Sequence, residues 1–174
     1  MKGLMRVAVA LGVLGAATVA LTAVAGAGSP SVNAELAKVR AATAKYHSFA
    51  RAQADGYSVE NEPCVASPAG TMGIHAVNEA LIADPRIDPL RPELLLYVPG
   101  PNGKLKLVGV EYFKVDADQD LTTDADRPSA LGVPFDGPME GHNPFMPRHY
   151  DLHVWIWAHN PTGMFPQWNP NLHC

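Results

Sequence analysis

The chain has little positive charge and no cluster of basic residues. Its 174 residues include 13 lysines and arginines against 17 aspartates and glutamates. Affinity for a phosphate backbone or an anionic lipid surface depends on clustered lysine and arginine side chains. The sequence therefore argues against nucleic acid as a partner, and against membrane binding by any part other than the N-terminal segment.

Local signatures of common catalytic sites are also missing. There is no HExxH zinc motif, no GxSxG nucleophile elbow and no CxxC pair. Such motifs bring reacting groups together within one short stretch of chain. The sequence therefore supports no particular enzymatic activity, and a functional site has to be assembled from residues that are far apart in sequence.

The one long hydrophobic run lies at the N-terminus. Lys2 and Arg6 precede an uninterrupted apolar segment, and small-residue cleavage sites follow at Ala25 and Ala27. This order is typical of a secretory signal peptide, although the run is nearly long enough for a retained membrane anchor. The sequence predicts a signal peptide over residues 1–27 and one domain over residues 28–174 that is secreted, periplasmic or associated with the cell envelope.

Cysteine occurs only twice, at Cys64 and Cys174. An even pair in an exported chain indicates one disulfide. A redox or metal-binding thiol pair is disfavoured because neither cysteine has a second one nearby. The predicted bond would fix the C-terminal residue to the middle of the chain.

The pattern of apolar residues predicts an α+β fold. Residues 33–55 fit one long helix that Asn33 caps and Gly56 ends. The fold expected is this N-terminal helix packed on a small, mainly antiparallel sheet with long irregular loops. The segments that fit strands are residues 93–98, 104–115 and 150–158.

Two further segments are harder to assign from the sequence. Residues 72–83 fit a short strand running into a helical turn, and periodicity does not decide between strand and helix there. Residues 116–148 are rich in Asp, Gly and Pro and have weak periodicity. They are expected to form a long surface excursion.

A buried polar cluster is predicted within the sheet. Alternation along residues 104–115 places Glu111 on an apolar face with Leu107 and Phe113. A carboxylate in such a place requires a cation, several hydrogen-bond donors or a metal ion. His75 and His153 are the candidate partners because both lie in apolar stretches.

Two histidines and one carboxylate with an open position are a ligand set of zinc enzymes and of non-haem iron enzymes. His75, Glu111 and His153 are therefore candidate ligands for one transition-metal ion: zinc, copper or iron. A hydrogen-bonded structural network and a metal-free small-molecule pocket are the alternatives. The corresponding functions are an exported small binding protein of unknown ligand, a mononuclear metalloenzyme, and a structural or interaction protein of the cell envelope.

Several unusual strings occur in one order between Met72 and Cys174: MGIH, RPELLLY, LVGVEY, LHVWIW, NPTGMF and QWNP. With these strings the chain resembles a family of small predicted secreted bacterial proteins of unknown function. The resemblance implies export. It implies no activity, cofactor or catalytic residue.

The signal-peptide prediction can be checked on the exported protein. Cleavage after Ala27 removes two positive charges and no negative ones, so the formal net charge changes from −4 to −6. Intact-mass measurement of protein recovered from the periplasm or medium is expected to show a chain beginning at residue 28, or at residue 26 if Ala25 is the cleavage site. A full-length mass would indicate a retained anchor.

Overall fold

The computed structural model describes residues 31–59, 63–142 and 146–174. These residues combine helices with a six-stranded antiparallel sheet, in the strand order β1-β2-β3-β4-β8-β7. A further pair, β5 and β6, forms a separate small ladder. The strands are β1 Val65–Ser67, β2 Gly70–Val77, β3 Leu94–Pro99, β4 Leu105–Val115, β5 Ser129–Ala130, β6 Val133–Pro134, β7 Asp136–Met139 and β8 His149–Val154.

The prediction of one continuous helix over residues 33–55 is wrong, because the region is divided into three helical segments. Helix α1 spans Val32–Thr43, a 3₁₀ turn covers Ala44–His47, and α2 spans Phe49–Ala54 after an extended Ser48. The backbone carbonyl of Tyr46 accepts a 2.7 Å hydrogen bond from the hydroxyl of Tyr97, which is on β3. This carbonyl is therefore engaged by the sheet at the point where the helix breaks.

The ends of the helical region follow the sequence only in part. The cap of α1 is Ser31, whose side chain accepts from the Ala34 amide, and not Asn33 as predicted. Gly56 ends α2 as expected, with a φ of 96° that favours glycine.

Residues 72–83 contain both elements that their pattern suggested. They form most of β2 and then helix α3, Glu79–Ile82, which Asn78 caps by accepting from the Leu81 amide. The C-terminal strand is shorter than predicted: β8 ends at Val154, because the Trp155 amide donates to the Met164 carbonyl of the following loop.

The excursion over residues 116–148 is more ordered than expected. Within it, β7 adds to the edge of the sheet beside β8, and Leu131 and Phe135 are buried. A four-residue strand of sequence DGPM has no visible alternation, so its place in the sheet could not be read from the sequence.

The sheet is buried on both faces. One face carries the main apolar cluster, in which Leu36 and Val39 of α1 group with sheet residues such as Tyr97, Val110 and Leu152. Arg40 of α1 also donates to the Ile156 carbonyl at 2.8 Å. The opposite face carries His75, Glu111 and His153, all buried.

An irregularity in the β3–β4 pairing alters the predicted alternation. Leu96 pairs with Gly109 whereas Tyr97 pairs with Leu107, so Val108 is an extra residue on β4. A bulge of this kind reverses the facing of the residues beyond it. Leu107 therefore belongs to the main cluster, and the prediction that it shares a face with Glu111 is wrong.

Cys64 and Cys174 form the predicted disulfide, with Cα atoms 5.7 Å apart. Thr71 on β2 and Asn169 exchange backbone hydrogen bonds of 3.1 Å, which ties the same C-terminal segment to the sheet edge. A disulfide indicates an oxidising environment such as the periplasm or the extracellular space. Among the described residues, no helix is long and apolar enough to cross a membrane.

Removal of the disulfide should strongly destabilise the protein. The bonded residues are separated by 110 positions, and cross-linking so long a loop is expected to contribute about 4 to 5 kcal/mol in the chain-entropy model. Denaturant unfolding of a Cys64→Ser, Cys174→Ser double variant should show a loss of this order. The wild type with reductant should match the variant, and an unchanged midpoint in both would contradict the role of the bond.

Candidate functional site

Three side chains that are far apart in sequence converge on one face of the sheet. His75 comes from β2, Glu111 from β4 and His153 from β8. The His75 Nε2 atom lies 3.1 Å, and the His153 Nε2 atom 3.4 Å, from Oε2 of Glu111. One ligand atom from each residue lies within 4.8 Å of the others. The predicted convergence is confirmed.

Strand register explains this arrangement. Glu111 and His153 are directly opposed on neighbouring antiparallel strands, where paired side chains on one face stand close together. His75 is one strand further away, opposite Leu96 of β3. Its ring therefore reaches across β3 to meet the carboxylate.

The cluster contains polar atoms without hydrogen bonds. His153 is fully buried, and neither of its ring nitrogens has a hydrogen-bond partner among the described residues. Oε2 of Glu111 and Oδ1 of Asp151 also lack a hydrogen-bond partner there. Nε2 of His75 lies 3.1 Å from Oε2 of Glu111, but this contact is an ion-pair distance and not a hydrogen bond of good geometry. Each such atom costs about 1 to 3 kcal/mol if it stays unpaired.

Asp151 lies behind His153. Its Oδ1 atom is 3.6 Å from Nδ1 of His153, and its Oδ2 atom accepts from Gln167 at 3.5 Å. A carboxylate in this place holds the Nδ1 proton of a histidine and leaves Nε2 as a lone-pair donor. Asp151 was not predicted as a site residue, although alternation along residues 149–159 places it on the same side as His153.

Charge pairing shifts the pKa values of the cluster. Burial by itself raises the pKa of Glu111, but electrostatic interaction with His153 and His75 outweighs burial and lowers this pKa to about 2. Burial likewise lowers the pKa of His153, but the carboxylates of Glu111 and Asp151 outweigh it and raise this pKa to about 9. Without a metal ion, the cluster at neutral pH is therefore an ion pair of a carboxylate and an imidazolium.

A cavity of about 640 Å³ opens onto the cluster. His75 and Glu111 form part of its wall, so two of the three residues can be reached through it. Its other described lining residues are Pro63, Val65, Met72, Val77, Leu94, Phe113, Met139, Glu140, His142, Met146, His149, Gln167 and Trp168.

Two of these residues are histidines, one at the start of a strand and one in a loop. His149 begins β8, is buried, and stacks on Phe113 with ring centroids 4.6 Å apart. His142 is exposed at the cavity, with its ring centroid 5.5 Å from that of His149. The alternation of the HYDLHVW segment was the signal that could have placed His149 beside the site.

Comparison of the chain with protein-family models, with curated proteins and with solved structures found no match. The resemblance to a family of small secreted bacterial proteins therefore stays a prediction. What the site does has to be argued from its own geometry and chemistry.

The raised pKa of His153 predicts how stability depends on pH in metal-free protein. A histidine whose pKa is higher in the folded state contributes stability that is fully present below about 6.5, its unfolded value, and that is lost as pH rises to about 9. We expect the stability difference between wild type and His153→Gln to shrink over this range.

Urea unfolding with a chelator present, at several pH values between 6 and 9.5, measures this difference. His159→Gln is the matched control, because His159 is exposed. It should parallel the wild type throughout. A wild-type advantage over His153→Gln that stays constant with pH would contradict the charge pairing.

Proposed function

We propose that the protein is an exported small binding protein that holds one transition-metal ion through His75, Glu111 and His153. The observation that supports this most strongly is the fully buried His153, whose two ring nitrogens have no hydrogen-bond partner among the described residues. A metal ion would give Nε2 a partner, and Nδ1 would gain one if Oδ1 of Asp151, now 3.6 Å away, moved within hydrogen-bond distance.

The distances from Glu111 to the two histidines suit a shared ion. Two ligands that lie about 2.0 to 2.1 Å from a tetrahedral ion are about 3.4 Å apart. The separations of Glu111 Oε2 from the two histidine nitrogens are 3.1 and 3.4 Å. Two imidazole nitrogens and one carboxylate oxygen suit zinc, copper or iron, and do not suit magnesium or calcium, which prefer oxygen ligands alone.

A purely structural cluster is less consistent with these contacts. In such a network the buried carboxylate and the imidazoles would satisfy one another by hydrogen bonds. Here four buried atoms of Glu111, Asp151 and His153 lack partners. In a cell-envelope structural or interaction role, ion pairing alone would have to offset the cost of burying these atoms without hydrogen bonds.

The wider arrangement supports the same proposal. We infer an α+β architecture in which the N-terminal helices cover one sheet face and leave the other face for the site. Export would place the protein in the oxidising space that its disulfide indicates. Extracytoplasmic metal ions, or small ligands bound through them, would then be its partners.

The cavity favours a second candidate, a mononuclear metalloenzyme that uses the same three ligands. A closed ligand shell is typical of a structural or storage site, whereas a catalytic site keeps one position open. His75 and Glu111 line a cavity of about 640 Å³. A coordination position of the metal ion that faces this cavity could therefore be reached by a substrate or a water molecule. A bound divalent ion would there polarise an oxygen of a substrate or of water.

Metal content tests the proposal directly. Protein purified from the periplasm or medium without an affinity tag is expected to contain, or to take up on titration, one zinc, copper or iron ion per chain. Glu111→Gln keeps the size of the side chain but removes its charge. Loss of a residue that only hydrogen-bonds to a metal ligand already lowers metal affinity roughly 10- to 100-fold. Because Glu111 is itself a proposed ligand, this variant should bind the metal at least 100-fold more weakly.

Mass spectrometry of the metal and calorimetric titration give stoichiometry and affinity. His173→Gln is the control, because it also removes a titratable group but from an exposed position. It should bind like the wild type. Circular dichroism confirms that Glu111→Gln is folded. A folded wild type that takes up none of the three metals would refute the proposal, as would equal binding by Glu111→Gln.

A further inference from the structure

We infer that the cavity beside His75 and Glu111 binds a small aromatic molecule that carries one oxygen-donor group such as a carboxylate, with this group against the metal ligands and the ring between apolar walls. This inference rests on the proposed function, because the donor is placed by the metal ion. It adds the chemical class of the ligand, which the three-residue cluster alone does not define.

The volume of the cavity limits the size of the ligand. Its volume of about 640 Å³ lies within the range of roughly 300 to 1,000 Å³ that is usual for small-molecule sites. A single-ring compound fits such a volume. The cavity is therefore larger than a bound metal ion and its water molecules require.

The walls of the cavity are mostly apolar, which limits the ligand to a molecule with a largely apolar surface. Aliphatic side chains come from β1, β2 and β3, and aromatic ones from β4 and the C-terminal segment. Three methionines add flexible thioethers, which pack well against aromatic rings. The residues concerned are Val65, Val77, Leu94, Met72, Met139, Met146, Phe113 and Trp168.

The polar lining limits the charge of the ligand. No lysine or arginine is among the described lining residues, so the metal ion would be the main positive charge facing a ligand, which suits one monoanionic group better than a polyanion. Glu140 is paired with Arg148 at 2.9 Å, the Gln167 amide faces Asp151, and Nδ1 of His149 faces the Pro147 carbonyl at 3.1 Å. These three groups are already engaged within the protein, and His142, the other polar lining residue outside the metal cluster among those described, is exposed to solvent.

The ligand should therefore carry its polar atom at one end. The metal cluster lies in the wall formed by His75 and Glu111, and Phe113 is on the same strand as Glu111, two residues away on the same face. Phe113 stacks with His149, so this wall presents a flat aromatic surface beside the cluster. A ring against this surface places its substituent next to the metal ligands.

Phenylacetate and acetate are suitable probes, since they differ only in the ring. The protein is loaded with Co²⁺, or with Cu²⁺ if that is the ion retained on purification, and the visible absorption of the metal is followed during titration. Burial of a phenyl ring should make phenylacetate bind roughly 10- to 100-fold more tightly than acetate. Both probes should perturb the metal spectrum.

A cavity-filling variant locates the ring. Val77→Phe occupies part of the cavity from β2 and should reduce the preference for phenylacetate to less than about threefold, with the metal spectrum retained. Val115→Phe is the matched control, since Val115 is exposed at the end of β4, and it should behave as wild type. If Val77→Phe loses the metal spectrum, Met139→Trp on β7 fills another part of the cavity and tests in the same way whether the ring of phenylacetate binds there.

The outcomes separate the two proposals. A metal spectrum with equal affinities for the two probes, or a preference that survives Val77→Phe or Met139→Trp, overturns the inference about the cavity and leaves the metal site standing. Absence of any metal spectrum overturns both. Perturbation by acetate alone shows an open coordination position without a ring site, and also overturns the inference.

Discussion

The burial of Glu111 between two imidazoles is the constraint on which the rest of this site depends. A carboxylate in the middle of an apolar sheet face is costly unless positive charge or donors surround it. Strand register supplies His153 directly opposite, and His75 reaches across β3 from the next strand. The lowered pKa of Glu111 and the raised pKa of His153 follow from this one placement.

Both faces of the sheet contribute to holding the cluster. The face opposite Glu111 carries the main apolar cluster, including Leu36 and Val39 of the first helix, and this burial fixes the strands whose register places the site. The extra residue Val108 keeps both faces filled, because it lets Leu107 join the main cluster while Glu111 stays with His153. The site face can then remain partly hollow without loss of the fold.

The C-terminal segment and the disulfide close the side of the site. Gln167 and Trp168 line the cavity, and the Asn169 backbone pairs with Thr71 at the sheet edge. Cys64 is flanked by two further lining residues, Pro63 and Val65. The bond to Cys174 therefore joins the cavity wall on the β1 side to the C-terminal segment, whose Gln167 and Trp168 also line the cavity, and so links covalent stability to the shape of the binding space.

The three residues of the site could be predicted from the sequence because each is a polar residue in an apolar stretch. Glu111 stands in an alternating apolar strand, and His75 and His153 lie in apolar stretches, so each needed a partner that its neighbours did not provide. The cavity could not be predicted in this way. Its walls come from β1, β2, β3 and β4, from residues 139–142 and 146–149 and from the C-terminal segment, and the Gly and Pro residues of β7 hide any periodicity there.

The sequence by itself determined the two cysteines that pair, the mixture of helix and antiparallel strands, and the three polar residues that must meet. These follow from local pattern and from the cost of leaving charge unpaired. Only the tertiary structure decided the break near Ser48, the bulge at Val108, and the place of Asp151 behind His153. Each of these depends on contacts between distant strands and helices, which no local period in the chain records.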